Sequence, residues 1–217
     1  MLRSRLPLSS LRRVRLFALA VLLTLTASSS TSTASADGLT GSETARLARG
    51  ETVVREQDLV RGDRQYVGGV TYTLIDAAPS ELASLLEDVD MYKKVLPRTK
   101  KARLVAKEGA DRVIELVHGN AMMEAEYAIL VRRESKGEYR FWMDVTRKHE
   151  IDDCWGFFRL EPMQGAKGEA RVLLTYGVLV DVGPGIVREL FEEKVRAALL
   201  GVPQSVRRHV ADRRSIN

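Results

Sequence analysis

Five consecutive residues, His149, Glu150, Ile151, Asp152 and Asp153, form the densest group of potential ligands in the sequence. Three of the four polar members are carboxylates, which suit a hard cation better than zinc. The spacing matches neither a calcium loop nor the two-histidine helix of a zinc protease. The cluster reads as a charged hairpin loop, and no metal or other cofactor is expected. Cys154, the only cysteine, follows directly. A catalytic thiol wants a positioned base, but His149 is only five residues away across a turn, so Cys154 reads as a small buried apolar residue. Glu124 and Glu126 share a strand face, with Asp144 on the next strand. The alternate residues Met123, Ala125, Tyr127, Ile129 and Val131 are mostly apolar, so the acids should face solvent. His118 shares its face with Ile114 and Leu116 and is either satisfied in the core or aimed at a ligand head group. None of these is assigned as catalytic.

The elements that would position these residues follow from periodicity. A hairpin is expected from strands at 52–60 and 65–76, around the turn Arg61-Gly62-Asp63. Val70, Tyr72 and Leu74 alternate onto one face. Pro79 opens a short helix with Leu82, Leu85, Leu86 and Val89 at helical spacing, and a second short turn ends at Pro97. Six strand-like runs follow, at 102–107, 112–118, 124–132, 139–147, 154–161 and 170–180. The connections between them are too short for parallel crossovers, so the sheet is antiparallel. After Gly183-Pro184-Gly185, the residues Ile186, Leu190, Val195, Leu199, Val202, Val206 and Val210 form an apolar stripe on one long closing helix. Gly201 and Pro203 should kink it. The expected class is α+β, a curved antiparallel sheet of about seven strands around the long C-terminal helix, with two short helices after the first core strand. Whether the sheet and helix enclose a filled core or an open pocket is not settled by alternation, which is the same for both.

The first 36 residues read as a secretory signal peptide. They hold Arg3, Arg5, Arg12, Arg13 and Arg15 and no acid, an apolar run at 16–26, and the small-residue pattern Ala34-Ser35-Ala36, with cleavage expected after Ala36. The expected location is periplasmic or secreted. The chain has 34 basic and 29 acidic residues. With the five signal arginines removed, the remainder from Asp37 is formally neutral. This excludes the surplus of positive charge that nucleic-acid binding requires. Residues 37–49 read as a flexible leader, and residues 50–217 as a single domain in which 50–66 could add an extra N-terminal strand.

Three passages carry a resemblance to a known family. Residues 70–82, VTYTLIDAAPSEL, look like the opening strand and helix of START-like proteins, in the polyketide cyclase/dehydrase and coenzyme-Q-binding branch of the helix-grip (SRPBCC) superfamily. Residues 88–97, DVDMYKKVLP, resemble that branch's D-x-x-x-Y-x-x-F-x-P passage, with Val95 near the usual aromatic position. Residues 156–162, GFFRLEP, are similar to its G-x-W-R-x-x-P strand, with Phe158 in place of Trp. The resemblance spans about residues 69–214 and implies a sheet gripping the final helix around a hydrophobic cavity. Family members bind lipids, quinones, polyketides or hormones, and no catalytic residue set is shared among them. The residues expected to line the cavity are Tyr72, Leu116, His118, Tyr127, Ile129, Phe141, Met143, Phe158, Tyr176, Leu190 and Leu199. The partner implied is a hydrophobic small molecule, with transient membrane contact during its exchange. The alternatives are a cyclase- or hydrolase-type enzyme using His118, Tyr127 or Tyr176 in the same cavity, and an interaction module with a filled core.

Overall fold

The computed structural model describes residues 38–119, 124–165 and 168–216, and the side chains of 186–191 and 216 fall outside that description. The segment expected to be a signal peptide, residues 1–36, and Met123 lie outside the described residues.

Eight antiparallel strands form one sheet in the order β1-β2-β8-β7-β6-β5-β4-β3. β1 (Val53–Arg61) and β2 (Arg64–Ile75) make the expected hairpin. The chain then passes through α2 (Pro79–Glu87) and α3 (Val89–Val95) to reach the far edge. There β3 (Thr99–Glu108), β4 (Asp111–Gly119), β5 (Glu124–Ser135), β6 (Glu138–Met143), β7 (Asp153–Gln164) and β8 (Ala170–Asp181) return as a meander that ends beside β2. α2 starts at Pro79, where a missing N–H costs no helical bond. α3 is capped by Asp88, whose side chain accepts from the Asp90 amide at 3.0 Å. β6 stops at Met143, short of the expected residue 147. Asp144 turns the chain by accepting from the Thr146 amide at 3.0 Å and hydroxyl at 2.6 Å.

Two expectations change. The single C-terminal helix is two, α4 (Ile186–Leu200) and α5 (Val202–Ile216). Pro203 stands in the first turn of α5, where it needs no hydrogen-bond partner, so it starts a new helix instead of bending an old one. The flexible leader contains α1 (Gly41–Ala48), closed by a capping box in which Thr40 and Glu43 satisfy each other's backbone amides. α1 packs on β1 and β2 with Leu47 buried, and Arg55 of β1 binds Glu43 at 2.5 Å.

Register decides what each face of the sheet carries. Opposite residues share a face, so Thr71 and Tyr176, Tyr176 and Phe158, Phe158 and Tyr139 all point the same way. This inner face meets the C-terminal helices: the buried Thr71 hydroxyl donates to the Leu200 carbonyl at 3.0 Å. Gly69, in the middle of β2, has φ +143, and a Cβ there would collide with the Arg55 carbonyl across the ladder, so β1 and β2 can close only around a glycine. The main core runs along the inner face from Ile75 and Leu82 through Ile114 and Val131 to Val206 and Val210.

Candidate functional site

Between the inner face and α4–α5 lies a cavity of about 350 Å³. β4 and β5 supply Leu116, His118, Tyr127 and Ile129, and β6 to β8 supply Phe141, Cys154, Phe158 and Tyr176. The helices contribute Val195, Ala198, Leu199, Val202 and Val206 from one side, and Tyr92 and Val95 from α3. Gly156, on the inner face of β7, leaves the place a side chain would fill to the ring of Phe141.

The charged lining residues Arg98, Glu124, Glu150 and Lys194 are all exposed and mark where the cavity reaches the surface. Arg98 has φ +58, a left-handed conformation that few non-glycine residues adopt, and its carbonyl accepts from the Gly119 amide at 3.0 Å. This bond ties the turn before β3 to the end of β4 at the mouth. Glu126 is directed outward to Lys148 at 2.8 Å, and Glu124 pairs with Lys100.

Polar groups inside are few. Tyr176 packs on Phe158 with centroids 4.6 Å apart and on Phe141 at 6.3 Å. Tyr127 stacks on His118 at 5.4 Å with rings 15° from parallel. His118 Nδ1 lies 3.0 Å from Thr99 Oγ1 and 3.4 Å from the Pro97 carbonyl, which can only accept, so the proton belongs on Nδ1. His118 Nε2 is buried with no hydrogen-bond partner among the described residues. Burial lowers the His118 pKa, with the Pro97 carbonyl opposing in part, and keeps the imidazole neutral. Burial pushes the Tyr127 and Tyr176 hydroxyls well above the ordinary phenol range, and the Cys154 thiol up to about 12. At neutral pH the described residues of the interior therefore contribute phenols, a thiol and a neutral imidazole, and no charge. The thiol is not activated as a nucleophile.

Of the eleven residues expected to line the cavity, eight do: Leu116, His118, Tyr127, Ile129, Phe141, Phe158, Tyr176 and Leu199. Tyr72 does not. It is opposite Val53 and Thr175, on the outer face of β2, where Arg55 lies over its ring at 5.4 Å. The physical reason is that both faces of β2 are buried, the outer one beneath α1, so burial of Tyr72 does not identify the inner face. Met143 is on the inner face, opposite Ile129, but is packed into the core beyond the cavity wall. Leu190 is in α4 at a position whose side chain lies outside the described residues. Sequence reasoning missed Ile151, which sits in the charged loop yet is buried against the cavity. Its one signal was an apolar residue inside a run of acids. The rest of that loop is used structurally. His149 Nδ1 meets the Ile151 carbonyl at 2.9 Å, and Asp153 accepts from the Tyr66 hydroxyl at 2.7 Å. No cluster of three metal-ligating side chains occurs among the described residues.

No family model matches the sequence, and no curated protein matches it. Solved structures do. A STAR-related lipid transfer protein from Xanthomonas axonopodis superposes with a TM-score of 0.56 at 16% identity, over 74% of this chain and 92% of that one. The chain has the START-like helix-grip fold. A START superfamily protein from Mycobacterium smegmatis superposes with a TM-score of 0.50 at 13% identity, over 65% of this chain and 97% of that one. At these identities the likeness concerns the fold. The START-like frame here has the sheet, the two short helices after β2 and the closing helices, with β1 and α1 at its N-terminal side.

Proposed function

We propose that this protein is exported and that it binds or carries a hydrophobic small molecule, of lipid, quinone or polyketide-like character, between the sheet and α4–α5. The observation that carries this reading is the cavity of about 350 Å³ with an apolar wall and a charged rim. Its volume is in the range of ligand pockets, which starts near 300 Å³, and that weighs against a core filled by its own side chains. The driving force would be burial of ligand surface, roughly 25 cal/mol per Å² before the costs of association. The name of the Xanthomonas structure is consistent with such a role for the fold. Export rests on the basic, apolar and small-residue segments of the first 36 residues. No helix among the described residues is long and apolar enough to cross a membrane. The mouth would then exchange ligand with a membrane surface by transient contact.

Native mass spectrometry of the protein purified from its own host tests both parts. A polypeptide mass beginning at Asp37, with a stoichiometric apolar adduct released by solvent extraction, is the expected result. A clean apo mass, together with no fluorescence gain from N-phenyl-1-naphthylamine, would overturn the binding reading. A cyclase- or hydrolase-type enzyme is the second reading, and the observation that favours it is that His118, Tyr127 and Tyr176 all reach the cavity. Turnover of a trapped ligand on prolonged incubation would decide for it.

A further inference from the structure

Three of the six tyrosines bond their hydroxyls within the fold. Tyr66 donates to Asp153 at 2.7 Å, Tyr92 to the Leu86 carbonyl at 3.1 Å, and Tyr139 to Glu87 at 2.9 Å. Tyr127 and Tyr176 line the cavity as Tyr92 does, but their hydroxyls, like that of Tyr72 on the outer face, make no hydrogen bond with any described residue. Both hydroxyls open onto the cavity rather than being sealed in the core, so whatever occupies the cavity, water or ligand, supplies their partner. The rings are also fixed. Phe158 and Phe141 hold Tyr176, and His118, itself tied to Thr99, stacks on Tyr127.

We propose that Tyr127 and Tyr176 form a neutral polar anchor in the cavity, one that selects apolar ligands bearing an uncharged hydrogen-bond-accepting oxygen, such as a carbonyl, over pure hydrocarbons and over carboxylates. The proposal rests on the reading that the cavity takes up an apolar molecule. A phenol that stays protonated always has an O–H to donate, and the ligand oxygen supplies the acceptor that the protein withholds. A carboxylate is disfavoured at this depth because the lining cations among the described residues, Arg98 and Lys194, are exposed at the rim, and no charge on the described inner lining compensates its desolvation. His118 is a positioning residue, since it acts through the ring of Tyr127.

Isothermal titration with three matched probes tests this: 2-acetylnaphthalene, 2-isopropylnaphthalene and 2-naphthoate. The hydrocarbon reports uptake alone, and the ketone adds one acceptor. The expected result is that the ketone binds about five- to tenfold tighter than the hydrocarbon, the scale of one or two neutral hydrogen bonds, and the carboxylate binds more weakly than either. In a Tyr127→Phe/Tyr176→Phe double variant, ketone affinity should fall to that of the hydrocarbon while hydrocarbon affinity stays within about twofold. A red-shifted carbonyl stretch in the wild-type complex that returns toward its apolar-solvent value in the variant is the spectroscopic signature of the bond. Hydrocarbon and ketone binding equally to both proteins would overturn the anchor while leaving apolar uptake standing. No binding of the hydrocarbon or the ketone would overturn both. The single Tyr176→Phe variant provides the same comparison should the double variant fold poorly.

Discussion

Arg196 and the pair Tyr127 and Tyr176 all place polar groups near the C-terminal helices, but their surroundings treat them differently. The Arg196 side chain is 6% exposed, and its guanidinium meets Asp58 at 2.6 Å, Glu192 at 3.0 Å and Glu193 at 3.5 Å. It clamps α4 to β1 across 138 residues of sequence. The carboxylates around it remain partly in water and pair its charge through the two terminal nitrogens, while Nε has no hydrogen-bond partner among the described residues. The two tyrosines are held by their rings, yet no described residue receives their hydroxyls. A polar group that the fold completes is doing structural work. One that the fold positions and leaves incomplete, in a wall that is otherwise apolar, is arranged for something that arrives later.

The largest expected effect breaks the apolar side of that contrast. Leu199 faces the cavity from α4. Leu199→Arg would put a charge there with no carboxylate in reach of the interior. We expect a loss of about 3 kcal/mol or more in unfolding free energy, or a folded protein that no longer takes up N-phenyl-1-naphthylamine. A variant that folds with the wild-type unfolding midpoint and full probe uptake would show that this face of the helix is not the cavity wall.

Arg196→Met is the next largest. It keeps much of the apolar stem while removing the charge, and its partners can turn to solvent, so the expected cost is about 1–3 kcal/mol by urea denaturation. Probe affinity should change by no more than about twofold, because the clamp lies outside the cavity. A variant with unaltered stability would remove Arg196 from the structural side of the comparison.

Tyr127→Phe/Tyr176→Phe should act in the other direction. Removing hydroxyls that no described residue accepts is expected to leave its stability unchanged or raise it by up to about 1 kcal/mol. A loss of more than about 1 kcal/mol in thermal or urea unfolding would mean the hydroxyls are bonded within the fold after all.

The contrast also explains what could be read in the sequence. Strand and turn chemistry made the meander legible, because each connection is short and each strand alternates. The capping box Thr40-Gly41-Ser42-Glu43 was equally present but stood in a polar segment that resembled a leader. Tyr72 was misplaced because β2 is covered on both faces, the outer one by that same α1. The cavity was legible only as a possibility of the fold: Ile129 and Phe141 alternate identically whether the space beyond them is filled or open. The unpaired state of the Tyr127 and Tyr176 hydroxyls depends on which groups fail to reach them from other strands, and no local pattern records that.

The smallest expected effect concerns His118, which braces Tyr127. Burial lowers its pKa below the ordinary value of 6.5 in the folded chain. Below that value the unfolded chain binds the proton more readily than the folded one. Stability therefore stands at its full value above about pH 6.5 and declines as the pH falls toward the folded pKa. His209 is shifted in the same direction, by burial first and then by Lys94 and Arg213, so wild-type behaviour alone does not isolate His118. Carboxylates act lower: Glu43, held near 2 chiefly by the Arg55 guanidinium, loses its contribution only as the pH falls below about 4.5. Thermal unfolding at about pH 7.5 and 5.5 therefore brackets the histidines. His118→Gln should retain the part of the drop in midpoint that His209 causes and lose the remainder. Equal drops in both proteins would show that His118 is free to protonate in the fold, and that the ring against Tyr127 is not the rigid, neutral support the cavity needs.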